Sequence, residues 1–454
     1  MSNVVYNRFI ILILFLILLN PLFGQDGQLD VSFGSDGIVS TEIGISVDNL
    51  EDIALDQNGK IVGVGTYING SSQSEMFVVR YNTDGSLDNT FGTNGIKTIS
   101  IGGTDDRAFA VEIQSDGMIL IAGKTYDGAH FDLALVRLTS TGAFDTNFDT
   151  NGIATTGAMF GGNVDLNITE MVIQDDGKII VCGYQTNNNV TPNVKEFVIC
   201  RFNSTGVLDN TFSSDGKQNV NYSSRNSEPQ VVKLQSDGKI IVAGYSYDSS
   251  NDYDYALTRL TTSGGLDGTF GTSGKVLTSM GNTWDAIWDM DLYDDDKIIV
   301  AGNSYFSATG YDISLARYSS NGVLDNTFGT DGKVTTNIDA VNNYDEGATG
   351  VRILSNSKIV VGGTFNQDFS VVRYNSDGSL DNTFDSDGVA TAGSVSQETG
   401  KAIQVQDDGN IILAGDINSA TWDILLMRFT GSVVPLPVEL TQFIALVIEN
   451  TIVL

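Results

Sequence analysis

"LDNTFGTDGKVTT" (residues 324–336) reads as a turn, a polar loop and a short strand, and near copies of it stand in the chain seven times. Its phenylalanine recurs at Phe33, Phe91, Phe148, Phe212, Phe270, Phe328 and Phe384, at spacings of 56 to 58 residues with one of 64. A period of that length marks an array of supersecondary units. Two further phrases keep the same beat. One couples a turn dipeptide to a β-branched run, as in "DGKIIVAG" (237–244), the way a hairpin begins its second strand. The other ends a strand on arginine, as in "YALTRLT" (255–261).

Each repeat therefore offers a short strand after the Phe phrase, a strand before the turn, a strand after it, and the Arg strand. Four-stranded units repeated four to eight times are the signature of a β-propeller. The expectation is an all-β, seven-bladed β-propeller of four-stranded blades. The Arg-to-Asp spacing separates this ring from an open solenoid, which would carry atypical capping repeats. In six repeats an Asp lies eight residues after the Arg: Arg80 and Asp88, Arg137 and Asp145, Arg201 and Asp209, Arg259 and Asp267, Arg317 and Asp325, Arg373 and Asp381. Arg428 has no such partner, and Asp30 has no upstream Arg after residue 24. The two halves complete one repeat, so residues 27–37 are expected to close the ring after the strand ending at Thr430. Both faces of a blade are covered by neighbours, so a guanidinium there needs a carboxylate, and these residues are read as structural. The Phe phrase is read as the joint that leaves one blade and enters the next.

The chain ends read differently. Arg8 precedes the apolar run 9–19 and Gly24, the pattern of a signal peptide over residues 1–24, with the propeller occupying 25–430. The formal charge of −32 repels nucleic acid and anionic membranes and suits solubility and divalent cations; no nucleic acid, no stable membrane insertion and a monomer are expected. The two cysteines, Cys182 and Cys200, sit in strand-like runs of one repeat and are read as buried thiols, with a disulfide as the alternative.

The string "RYNSDGSLDNTF" (373–384), together with "DGKIIVAG", resembles the delta-60 repeat family, a bacterial seven-repeat β-propeller group, over about residues 27–430. The resemblance implies a propeller used outside the cell and implies no reaction. "PLPVELTQFIA" (435–445) resembles the opening of the C-terminal module that type IX secretion systems sort, so residues 431–454 are read as the truncated start of that module or as a tail.

Catalytic patterns are sparse. His130 is the only histidine, which excludes multi-His metal clusters and leaves one candidate base for a Ser-His-Asp triad; it stands in the loop-like "YDGAHFD" (126–132). The run Asp145, Asn147, Asp149, Asn151, Gly152 and the pair Asp385 and Asp387 resemble oxygen-rich calcium loops but lack a twelfth-position Glu, and these are ordinary turn residues too. No cofactor is expected, calcium being the one left open. The loops that do not repeat are more informative. They carry Tyr245, Tyr247, Tyr253, Trp284, Tyr305, Phe306, Tyr311 and Trp422, aromatic rings beside Asp and Asn, as a sugar surface requires. The loops between first and second and between third and fourth strands emerge on one face, while Trp288 falls within a strand and is assigned to the core. The expected role is a secreted or cell-surface binding module without catalysis, its partner a glycan or a surface protein. The alternatives are a carboxylate-dependent polysaccharide-active enzyme and a structural spacer.

Overall fold

The "IIVAG"-type runs are apolar at consecutive positions rather than alternating, which only a strand covered on both faces tolerates. In the computed structural model each becomes the second strand of a four-stranded antiparallel blade, with both faces packed against neighbouring blades. The structure describes residues 26–156, 164–187, 194–223, 225–281, 283–338, 346–393, 396–418, 421–431, 446–448 and 451–453. The expected signal peptide (1–24) and the sorting-type stretch (435–445) lie outside them, and Leu446–Ile448 pairs with Thr451–Val453 as a separate short hairpin.

Seven blades form the ring. Blade 1 consists of Asp48–Leu55, Ile61–Ile68, Ser74–Tyr81 and Ile96–Ile99, paired in that order from the axis outward. The innermost strands of blades 2 to 7 are Asp106–Ile113, Val164–Ile173, Asn226–Leu234, Asp285–Leu292, Glu346–Ile353 and Gln397–Val405. Each touches the inner strand of the next blade, and the last touches the first. Seven apolar clusters fill the seven gaps between blades, each drawing residues from both sides, as Phe91 does with Val78 of blade 1 and Val136 of blade 2.

The ring closes as expected. Ile38–Thr41 is the outermost strand of blade 7, pairing with Trp422–Phe429. Gly27 donates its N–H to the Thr430 carbonyl, Asp30 donates to the Arg428 carbonyl, and Arg428 reaches Asp30 at 2.7 Å. The Phe phrase needs a correction. It stays within one blade, joining the Arg strand to the outermost strand, because that short strand pairs with the Arg strand before it. The crossover to the next blade is the following loop, such as 279–284.

The phrase nevertheless reaches the next blade through its contacts. Arg259 holds Asp267 at 2.9 Å and Thr269 at 2.9 Å, and its third arm donates to the Ser320 carbonyl of the following blade at 2.5 Å. Arg80, Arg137, Arg201, Arg317 and Arg428 likewise donate to carbonyls of the following blade, and Arg373 instead uses the Asp26 carboxylate. In all seven blades the Arg Nε lies 2.6 to 3.0 Å from its Asp. The phenylalanine of the phrase lies under the guanidinium at 4.5 to 4.9 Å, so one ring both fills the gap and faces the cation. Burial works to raise the Asp267 carboxyl, but the hydrogen bonds from Thr269 and the charge of Arg259 hold it down at about 2.

Cys182 and Cys200 are free and buried. They sit on adjacent strands one residue out of register, Cys182 opposite Ile199 and Cys200 opposite Val181. Side chains alternate along a strand, so one thiol faces blade 4 and the other blade 2. A disulfide between them is excluded by this geometry.

Two stability measurements check this architecture. Asp30→Ala leaves Arg428 buried without its carboxylate and is expected to cost about 3 kcal/mol. Asp252→Ala, at a half-buried loop residue whose side chain makes no hydrogen bond, is the matched control; equal unfolding midpoints would contradict the latch. A Cβ added at Gly302 would stand 1.8 Å from the Ala286 carbonyl oxygen, whereas one at Gly70 meets nothing within 4 Å. Gly302→Ala should therefore destabilise by about 1 to 3 kcal/mol and Gly70→Ala should not.

Candidate functional site

Each inner strand slips its pairing register by one residue near its middle, a β-bulge, at the same place in every blade. The residue left unpaired is Glu51, Phe109, Thr169, Gln230, Trp288, Thr349 or Lys401. A bulge re-aims its side chain, and all seven line one axial cavity of 720 Å³ to which every blade contributes. The bulge also explains the constant glycine ending the second phrase. At Gly65, Gly123, Gly183, Gly244, Gly302, Gly363 and Gly415 a Cβ would come within 1.7 to 2.2 Å of an inner-strand carbonyl, so no side chain fits there.

The position after that glycine forms a second ring around the mouth: Thr66, Lys124, Tyr184, Tyr245, Asn303, Thr364 and Asp416, of which the middle five line the cavity. Several members hold the next blade's inner strand. Asn303 accepts from Ala348 N–H at 2.8 Å, Thr364 from Gly400 N–H at 2.9 Å and Asp416 from Leu50 N–H at 2.7 Å. Below the bulges runs a charged layer. Asp52 accepts from the Val111 N–H of blade 2 at 2.9 Å; Arg352 donates to Asp289 at 2.6 Å and reaches Gln404, which donates to the Ile53 carbonyl. Burial pushes Asp52 up to about 7 and, helped by the Asp52 charge, raises Glu170 well above the usual carboxylate range. Burial likewise raises Glu51 against the pull of Lys401.

The predicted aromatic loops meet this cavity. Loop 248–252 of blade 4 and crossover 279–284 lie on the mouth side, tied by the Tyr253 N–H to the Thr283 carbonyl at 3.0 Å. Tyr247 stacks on Tyr253 at 4.5 Å, Tyr253 meets Trp284 at 5.6 Å, Trp284 meets Tyr311 at 4.8 Å, and Tyr311 meets Tyr305 at 5.1 Å. The band runs on into the cavity, because Trp288 touches both Tyr245 and Trp284. Trp288 is thus half-buried in the cavity wall and not a core residue, because the bulge everts it. Glu228 accepts from Lys195 at 2.7 Å, and burial together with the Glu228 charge raises the Tyr184, Tyr245 and Tyr247 phenols beside it.

Of the aromatics expected in loops, Tyr247, Tyr253, Trp284, Tyr305 and Tyr311 therefore form one band with Tyr245 against it. All of these except Trp284, like Phe306 and Trp422, stand in strands, because the second and third strands of the blades run further than the loop reading allowed. Phe306 and Trp422 make no ring contact among the described residues, and Trp422 stands in blade 7. His130 is in its expected loop, 3.5 Å from Asp127 and outside the cavity wall. Asp145 is taken up by Arg137 and by the Asn147 N–H, as a turn residue. What the loop-based reading missed was the two axial rings. Their signal is nonetheless present: in seven aligned repeats the glycine is constant while its successor is Thr, Lys, Tyr, Tyr, Asn, Thr or Asp.

Six segments, 57–91, 114–148, 174–212, 235–270, 294–328 and 354–384, match the β-propeller described as a domain of unknown function, DUF5122. The repeats thus fit a β-propeller repeat family. No curated protein matches. Among solved structures the chain is similar to a catalytically inactive virginiamycin B lyase from Staphylococcus aureus with quinupristin, at 11% identity and TM-score 0.48, covering 86% of this chain and 98% of that one. It is also similar to the polysaccharide lyase Uly1, at 11% identity and TM-score 0.46, covering 91% and 94%. Drosophila Plexin A in complex with Semaphorin 1b matches at 7% identity and TM-score 0.48, covering 89% and 88%.

The raised carboxyls give the site a pH signature. Burial holds Asp416 at about 7, Asp52 at about 7 and Asp285 at about 6, against about 3.9 in the unfolded chain. A raised folded pKa contributes stability that is complete below the unfolded value and is lost as pH climbs through the folded one. The lowered aspartates paired with the repeat arginines act in the opposite direction and only below about pH 4. The melting temperature is therefore expected to fall from pH 5 to pH 8, and Asp416→Asn, which still accepts from Leu50, should flatten that fall. An unchanged slope in the variant would contradict the assignment.

Proposed function

We propose that this protein is a secreted or surface-displayed propeller that binds a glycan non-catalytically, with the band from Tyr305 to Trp288 as the platform and the axial cavity as the specific end of the site. The observation that carries the reading is the continuity of fixed aromatic rings with a cavity wall rich in amides and hydroxyls, among them Asn167, Thr169, Gln230, Asn303 and Thr349. Sugars present C–H faces that stack on rings and hydroxyls that need both donors and acceptors. A protein partner is supported less, because large exposed apolar side chains such as Val31, Ile45, Val207 and Val323 are scattered singly rather than gathered in a patch.

The raised carboxyls of Asp52 and Glu170 favour one second reading, an acid/base pair acting on the bound polysaccharide. Both carboxylates already accept backbone N–H groups, Asp52 from Ile53 and Val111 and Glu170 from Met171, which supports a structural use instead.

A glycan-array screen, run with calcium and with chelator, tests both. Saturable binding to a restricted glycan set is expected, unchanged by chelator and weakened at least about fivefold by Trp288→Ala, since stacking on a ring is worth at least about 1 kcal/mol. The bound glycan should come through long incubation without new reducing ends or unsaturated products. Cleavage abolished by Glu170→Gln would establish the second reading, and a blank array would defeat both.

A further inference from the structure

Four cations line the axial cavity: Arg107, Lys124, Arg352 and Lys401. Three have a carboxylate. Arg107 is held by Asp105 at 2.7 and 2.9 Å, Arg352 by Asp289 at 2.6 Å, and Lys401 lies 3.9 Å from Glu51. Lys124 has none within 4.0 Å among the described residues. It is 9% exposed, and its ammonium donates once, to Asn167 Oδ1 at 2.9 Å, while lying over the Phe131 ring at 4.3 Å and the Phe109 ring at 5.5 Å.

An ammonium has three donors and one positive charge, and enclosing it without a counter-charge is costly. Burial, followed by the nearby Arg107 charge, holds Lys124 below the ordinary lysine range against the weaker pull of Asp105 and Asp165, neither of which bonds it. The fold does not require the charge. Lys124 occupies the position after the constant glycine, and the other six repeats fill it with Thr66, Tyr184, Tyr245, Asn303, Thr364 and Asp416, none of them cationic.

We infer that Lys124 anchors a carboxylate carried by the ligand, so that the glycan taken into the cavity is a uronate-bearing oligosaccharide. The inference rests on the glycan reading above and adds the sugar class to it. An ammonium that bonds only Asn167 and no carboxylate among the described residues keeps donors for one carboxylate from a ligand. Thr169 and Gln230, everted on the neighbouring blades 3 and 4, supply hydroxyl and amide partners for the same sugar, and Phe109 and Trp288 supply ring faces. The protein's net charge of −32 opposes an acidic ligand at a distance, but at physiological salt that repulsion is screened beyond about 8 Å.

The test is a titration of the full protein at physiological salt with uronate oligosaccharides, each paired with its carboxyl-reduced neutral form and followed by calorimetry. The acid form of a bound pair is expected to bind at least about tenfold more tightly than its reduced form, the range of a hydrogen bond to a charged group. Lys124→Met should bring the two forms to parity with the neutral form unaffected, and Lys124→Arg should keep the preference. Melting curves of each variant exclude unfolding as the cause. Equal affinity of the two forms for the wild type, or a preference that survives Lys124→Met, would overturn the inference and leave the glycan reading standing. Binding of neither form by a folded protein would overturn both.

Discussion

A buried guanidinium that must be neutralised governs this ring. Each repeat arginine is bound by an aspartate, in six blades the one eight positions along, lies over the phenylalanine of a Phe phrase, and in six blades spends its remaining arm on a carbonyl of the following blade. Removing any one partner leaves charge or polar surface enclosed between two packed sheets, at a cost of several kcal/mol. The need recurs in every blade, and so the phrase recurs with it. In blade 7 the chain has ended its Arg strand at Phe429, and the carboxylate comes from Asp30 near the other end of the described chain. Ring closure is therefore the same interaction as blade packing, made between distant parts of the sequence.

The β-bulge of the inner strands separates what the scaffold needs from what it presents. Opposite each bulge the backbone comes so close that only glycine fits, which makes that glycine a structural invariant of the repeat. The bulged residue is released from pairing and turns toward the axis, while the one following the glycine stays in the ladder beside it. They differ from blade to blade, giving a seven-fold frame an asymmetric interior. Fixed on rigid strands, such a wall needs little ordering on binding, which favours affinity. The aromatic band extends the wall outward over blades 4 and 5, where the loop insertions are longest in aromatic content.

Blade number, strand number, ring closure and the Arg–Asp pairs were legible in the sequence because each depends on a local phrase and its spacing. Five aromatics of the band were legible as a group because they fall in stretches that do not repeat, but their place was not, since Tyr247, Tyr253, Tyr305 and Tyr311 stand in strands and only Trp284 in a loop. The place of the Phe phrase within a blade was not. Whether a short strand such as Lys333–Thr336 pairs backward with Tyr318's strand or forward with the next depends on hydrogen-bond partners, and four strands count the same either way. Trp288 was misassigned to the core because a bulge shifts the two-residue alternation by one, and no residue type announces that shift. The charge state of Lys124 depends on which carboxylates reach it across two blades, which spacing along one chain does not encode.

A crystal structure of the protein with the tightest ligand from the glycan screen tests the proposed axial recognition most directly. Sugar rings are expected in the cavity between Trp288 and Lys124, with the ligand continuing outward along Trp284 and Tyr311. A ligand seated on the opposite face, beside Asp294 and Ser355, or along the outer strands, would contradict it.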